Sequence, residues 1–108
     1  MLIEMQDGVR AYMKKHAAPC LVIDMDKNIT NPGCGCGRTK TFYTPSARLG
    51  FEEKKLAKTH NSVAVDGVTI FISRLIEDKE DMQIEIFIEK LFLMKKLAVK
   101  GIDTIVAD

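Results

Sequence analysis

Cys34 and Cys36 are the side chains whose type and spacing point most directly to chemistry. They are separated by Gly35 and flanked by Gly33 and Gly37 within Asn31-Pro32-Gly33-Cys34-Gly35-Cys36-Gly37-Arg38. Glycine reaches backbone angles that other residues avoid and leaves the space beside its neighbours open. Pro32 stiffens the entry by fixing its own φ. The pattern predicts a loop that presents two sulfurs. In an extended segment, residues two apart share a face, so both thiolates can address one ion. Thiolate is a soft ligand suited to zinc, copper(I) or iron–sulfur clusters. A tetrahedral site takes four ligands, so the pair supplies half a set. Two loops meeting across a two-fold axis would supply four sulfurs, the count for a [2Fe–2S] cluster. The expected cofactor is therefore an iron–sulfur cluster or a metal ion, iron or zinc, held by Cys34 and Cys36, in a homodimer and without turnover of a substrate.

The same atoms support a second chemistry. A Cys-Gly-Cys disulfide is tight, because extended residues two apart lie near the upper limit of about 7 Å for the Cα separation. Strain makes such a bond easily reduced, and Arg38 and Lys40 nearby can stabilise a thiolate. A dithiol redox protein with a redox partner is thus the alternative, and an interaction module with an idle glycine loop is a third. Cys20 begins an apolar run and reads as a small buried hydrophobe. His16 falls on the apolar side of a helical pattern, and His60 sits in a polar stretch and reads as solvated. Neither has two-histidine zinc spacing. Asp24 and Asp26 share one strand face. The loop lacks the Gly-Lys-Ser/Thr ending of a phosphate loop.

The chain that must position this loop has 108 residues, a length suited to one domain over 1–108. Apolar residues make up 46% and charged residues 29%, ordinary values for a globular protein. The net charge of +1 offers no basic stripe of the kind that nucleic acid requires. No run of 18 apolar residues predicts a membrane span, and the start of the chain lacks the pattern of a signal peptide. The expected location is cytoplasmic, with neither nucleic acid nor membrane as partner. Thiols there stay reduced unless they are catalytic, sensing or metal-bound, and an odd count of three cysteines argues against a disulfide-stapled fold.

Along the chain, Leu2 to Met5 suits a short strand. Asp7 is a plausible N-cap for a helix to His16, with Val9, Tyr12 and Met13 on one side and Lys14 and Lys15 at the negative end of its dipole. Pro19 ends that segment. Cys20 to Asp26 has strand composition, and Lys27 to Gly37 reads as a loop. A strand follows from Thr39, with Pro45 stopping it or marking an edge. Residues 48–58 fit a short helix or a charged loop. Asp66-Gly67 between apolar runs is a two-residue hairpin turn. Met82, Ile84, Ile86 and Ile88 alternate at strand period. Residues 91–99 suit a helix or a buried strand, and Ile102 to Val106 a last strand. The expected architecture is α+β: one N-terminal helix packed on a mainly antiparallel set of short strands.

This order of elements, with the cysteine loop after a strand and Asn61-Ser62-Val63-Ala64-Val65-Asp66-Gly67-Val68-Thr69-Ile70-Phe71-Ile72 further on, resembles the HesB-like fold of A-type iron–sulfur carriers. The chain resembles more closely the CC/Se motif family of proteins and selenoproteins. There the paired-thiol loop is followed by a segment similar to Pro45-Ser46-Ala47-Arg48-Leu49-Gly50, and the end is similar to residues 89–102. The resemblance implies a single HesB-like domain, iron–sulfur or thiol chemistry, and an iron–sulfur or redox partner protein. A-type carriers also place a Cys-Gly-Cys near the C-terminus. This chain has no cysteine after Cys36, so only the first-loop position carries over, to Cys34 or Cys36.

Overall fold

Cys20, Leu21, Val22 and Ile23 are consecutive and all buried. Neighbouring residues of a strand point to opposite faces, so this segment must be covered on both sides. The computed structural model, which describes residues 1–30 and 40–107, shows what covers it. The elements are β1 (Leu2–Met5), α1 (Val9–Lys15), β2 (Cys20–Thr30), β3 (Lys40–Gly50), α2 (Glu53–Thr59), β4 (His60–Val65), β5 (Val68–Ser73), β6 (Gln83–Leu91), β7 (Met94–Lys100) and β8 (Ile105–Ala107). They form a three-stranded sheet in the order β1-β6-β7 and a five-stranded sheet in the order β4-β5-β2-β3-β8.

The sheets share a core. Leu21, Ile23 and Met25 of β2, with Ile70 and Ile72 of β5, pack against Ile3, Ile84, Ile86 and Leu97 of the smaller sheet. Val9 and Met13, one helical turn apart on α1, close the same cluster. The alternate residues Cys20, Val22 and Phe71 point to the other face of the larger sheet and meet Leu56, the buried residue of α2. The apolar runs of β2 and β5 are thus explained strand by strand, one residue to each face in turn.

The expected HesB-like α+β arrangement, one N-terminal helix on short strands, is corrected by this structure. The described residues are mostly β, with two helices and two curled sheets. Each helix has seven residues and is about 10 Å long, too short to cover a sheet, so the second sheet supplies the opposing layer. The strands β2 and β3 are eleven residues each rather than short. Two pairings are parallel, β1 with β6 and β2 with β5. α1 also begins differently from expectation: its N-cap is Gly8, at φ 93°, without a side-chain cap hydrogen bond. Asp66 and Gly67 both have positive φ, as the expected hairpin turn requires, and β4 pairs with β5 antiparallel across it.

β5 pairs with β2 only over Cys20 to Ile23. Beyond that point β2 and β3 continue as a ribbon, joined by β8 at Thr41 to Tyr43. Asp26, Lys27, Asn28 and Ile29 are exposed there. The strand expected to end at Asp26 therefore runs on to Thr30. Asn28, a turn former in isolation, instead donates its amide across the ribbon to Thr44 Oγ1 at 2.9 Å. β3 likewise passes through Pro45. β8 reaches only as far as Tyr43, so β3 is an edge at Pro45 and its missing N–H costs no ladder bond.

Candidate functional site

Cys34 and Cys36 lie outside the described residues. Their supports are described. Thr30 and Lys40 are cross-strand partners at the far end of the β2–β3 ribbon, so residues 31–39 leave one strand and re-enter its neighbour.

Cys20 does not belong to that segment. It begins β2, and Thr30 ends it. Ten residues of strand separate them, about 34 Å. Four residues beyond Thr30 or before Lys40 span at most about 14 Å. A third ligand from Cys20 of the same chain is excluded by length alone. Cys20 is free and fully buried. Burial pushes its thiol pKa up, Glu53 adds to the rise, and Arg48 opposes it. A protonated, enclosed thiol is a poor ligand and a poor nucleophile. Its surroundings are tight: a Cβ on Gly50, its cross-strand partner, would stand 2.5 Å from the Cys20 sulfur and 2.9 Å from Val22 Cγ2. The reading of Cys20 as a buried hydrophobe agrees with this packing.

The structure assembles a polar cluster that the sequence reading missed. His60, expected to be solvated, has a side chain only 12% exposed. Its Nε2 is 2.6 Å from Asp24 Oδ1, and its Nδ1 is 2.7 Å from Thr59 Oγ1. Arg48 Nε donates to the other oxygen of Asp24 at 2.8 Å. A carboxylate only accepts, so Nε2 carries the proton shared with Asp24. Burial alone would raise the Asp24 pKa, but hydrogen bonds from His60 and Arg48 outweigh it and hold the carboxyl below its usual range. A groove of about 440 Å³ beside the cluster is lined by Arg48, Phe51, Glu52, Lys55, Leu56, Thr59 and His60. Both imidazole nitrogens are engaged within the protein, which leaves neither for a metal or a proton transfer into the groove. The cluster ties the end of α2 and the start of β4 to β2. Asp24 does share a strand face with Asp26, but its partners are His60 and Arg48 rather than a metal. The signal that could have found the cluster is Asp24 itself, an acid in line with the buried Cys20 and Val22.

His16 is exposed at the end of α1 and stacks edge-on against Tyr12, ring centroids 4.6 Å apart. Among the described residues no group of three His, Cys, Asp or Glu side chains can hold a metal ion, and no helix is long and apolar enough to cross a membrane. A cavity of about 740 Å³ opens between the edge strands β1 and β4 and is lined by residues 1–4 and 61–66 with Ile72, Ile76 and Asp78.

No curated protein and no solved structure matches the chain. The family model of the CC/Se motif containing family matches residues 1–102, nearly the whole length, and the chain belongs to that family.

Proposed function

We propose that this protein is a cytoplasmic binder of an iron–sulfur cluster or a metal ion, iron or zinc, through Cys34 and Cys36. The observation that carries the reading is membership of a family described by a CC/Se motif in a chain whose one cysteine pair is Cys34-Gly35-Cys36. The rest of the molecule narrows the ligand set. Cys20 is too far along β2 to join, and the described residues hold no three-ligand group. Each chain then contributes two thiolates, and four sulfurs require two copies meeting through their ribbon ends. Such a site would be solvent-accessible and suited to handing its cargo to an iron–sulfur partner protein. The likeness of residues 61–72 to A-type iron–sulfur carriers favours a cluster as cargo, and we propose that relation to the HesB-like superfamily at the level of sequence rather than of the expected architecture.

A specific observation favours the dithiol reading as runner-up. A motif described by both cysteine and selenium suits chemistry the two elements share, exchange at a disulfide-type bond. Cys34 and Cys36 would pass two electrons and two protons to a partner disulfide, forming their own S–S bond while the partner becomes a dithiol.

Anaerobic incubation with iron and sulfide, followed by absorption spectroscopy and sizing, tests the first reading. The expected result is visible charge-transfer absorption from a thiolate-held cluster on a dimer. A colourless monomer that instead cycles between two and no free loop thiols would replace it with the second.

A further inference from the structure

The β6–β7 hairpin ends in an exposed apolar tip. Leu91 and Met94 are register partners, which leaves Phe92 and Leu93 as a two-residue turn. Phe92 is 105% exposed and Leu93 102%, so neither side chain packs on the protein. Folding gives no reason for them to be apolar. Phe92 has φ 55°, whereas Leu93 is not in the left-handed region. Positive φ at the first turn position alone is the type II′ pattern, which prefers glycine there. A bulky aromatic at such an angle is an outlier, and strain of this kind persists where something other than folding selects the residue.

The charges behind the tip are one-sided. Lys90 and Lys95 are direct cross-strand partners, an arrangement that destabilises a sheet when like charges face each other. Among the described residues neither meets a carboxylate, whereas Lys96 is paired with Glu89 on the opposite face. Lys90, Lys95 and Leu93 line a groove of about 670 Å³ with Lys15 and His16 of the α1 end, and Asp7 is the acid on its wall. A chain of net charge +1 thus gathers unpaired cations immediately behind two unpacked apolar side chains.

We propose that this hairpin docks the protein on an anionic phospholipid surface, with Phe92 and Leu93 entering the headgroup–acyl boundary and Lys90 and Lys95 meeting lipid phosphates. Apolar side chains that dip a few ångströms below lysines at headgroup level are the elements of interfacial binding, and lysine stems tolerate that position because their charged ends stay in water. That no helix among the described residues is long and apolar enough to cross a membrane concerns passage through a bilayer, not attachment to its surface. The proposal is independent of the thiol reading, because none of its residues belongs to the Cys34–Cys36 segment.

Cosedimentation of the full chain with phosphatidylcholine vesicles, with and without phosphatidylserine, tests it. Binding is expected with phosphatidylserine and is weakened by salt. Phe92→Ser/Leu93→Ser lowers the affinity about tenfold or more. Each of Lys90→Glu and Lys95→Glu lowers it at least about fivefold. Phe92→Gly provides the control for folding: it relieves the turn, so the melting temperature holds or rises while vesicle binding falls. Absence of sedimentation with phosphatidylserine vesicles overturns the proposal, as does equal sedimentation of the tip variant. A tip variant that loses self-association on sizing, with vesicle binding unaffected, overturns it in favour of a second copy of the chain on the tip.

Discussion

His60 Nε2 stands 2.6 Å from Asp24 Oδ1, joining two strands that are not neighbours. β5 lies between β4 and β2, and the contact reaches across it. Arg48 on β3 completes the span from the other side at 2.8 Å. One carboxylate therefore ties three strands on the face that α2 covers.

Asp24→Asn keeps the shape and removes the charge. It should cost about 1.5–3 kcal/mol near neutral pH, the range for hydrogen bonds to a charged group. The pH dependence has a definite sign. The folded carboxyl is held below its usual range, so its stabilisation is fully present above the unfolded value of about 3.9. It is lost as pH falls through the lower folded value. Urea unfolding of both proteins should show a gap at pH 7 that closes below about pH 4. A gap that persists in acid would contradict the assignment.

Gly50 is fixed by space. Gly50→Ala places a methyl group into the Cys20 sulfur and Val22, and overpacking of this kind costs about 1–3 kcal/mol. Removing the sulfur relieves part of the clash. In a double-mutant cycle with Cys20→Ala, the cost of Gly50→Ala should shrink by at least about 0.5 kcal/mol. Strict additivity would show that Cys20 is not what excludes the larger residue.

Thiol reactivity should divide in two. Cys20 is buried with its pKa pushed up by that burial, so the folded, metal-free, reduced protein should release colour from a disulfide reagent at Cys34 and Cys36 alone. Cys34→Ser/Cys36→Ser should then react only after denaturant is added. A fast-reacting thiol in that folded double variant would contradict the placement of Cys20.

Ile84 and Ile29 separate core from ribbon. Ile84 is fully buried between the sheets, whereas Ile29 is exposed on the ribbon. Ile84→Ala should cost about 2–5 kcal/mol and Ile29→Ala less than about 0.5 kcal/mol, read as shifts in the urea midpoint at an unchanged slope.

Local signals were legible in the sequence where the chain decides its own conformation. Asp66-Gly67 states its turn by residue type, and the Ile84, Ile86 alternation states a strand. What the sequence did not disclose depends on partners distant along the chain. Asn28 reads as a loop residue until Thr44 on the neighbouring strand accepts its amide, and Pro45 reads as a stop until β8 proves too short to pair beside it. Two seven-residue helices leave the covering of β2 to another sheet, and no residue of β2 names that sheet. His60 looked solvated because its partner, Asp24, lies 36 positions away. Cys34 and Cys36 are proposed on type and spacing and on the family match.

The most direct test is the metal and acid-labile sulfide content of anaerobically purified wild type beside Cys34→Ser/Cys36→Ser. The proposal predicts stoichiometric metal in wild type and none in the double variant, with sulfide equal to iron if the cargo is a [2Fe–2S] cluster and absent if it is zinc. Equal metal in both proteins, or none in either after reconstitution with iron, sulfide and zinc, would contradict binding through this cysteine pair.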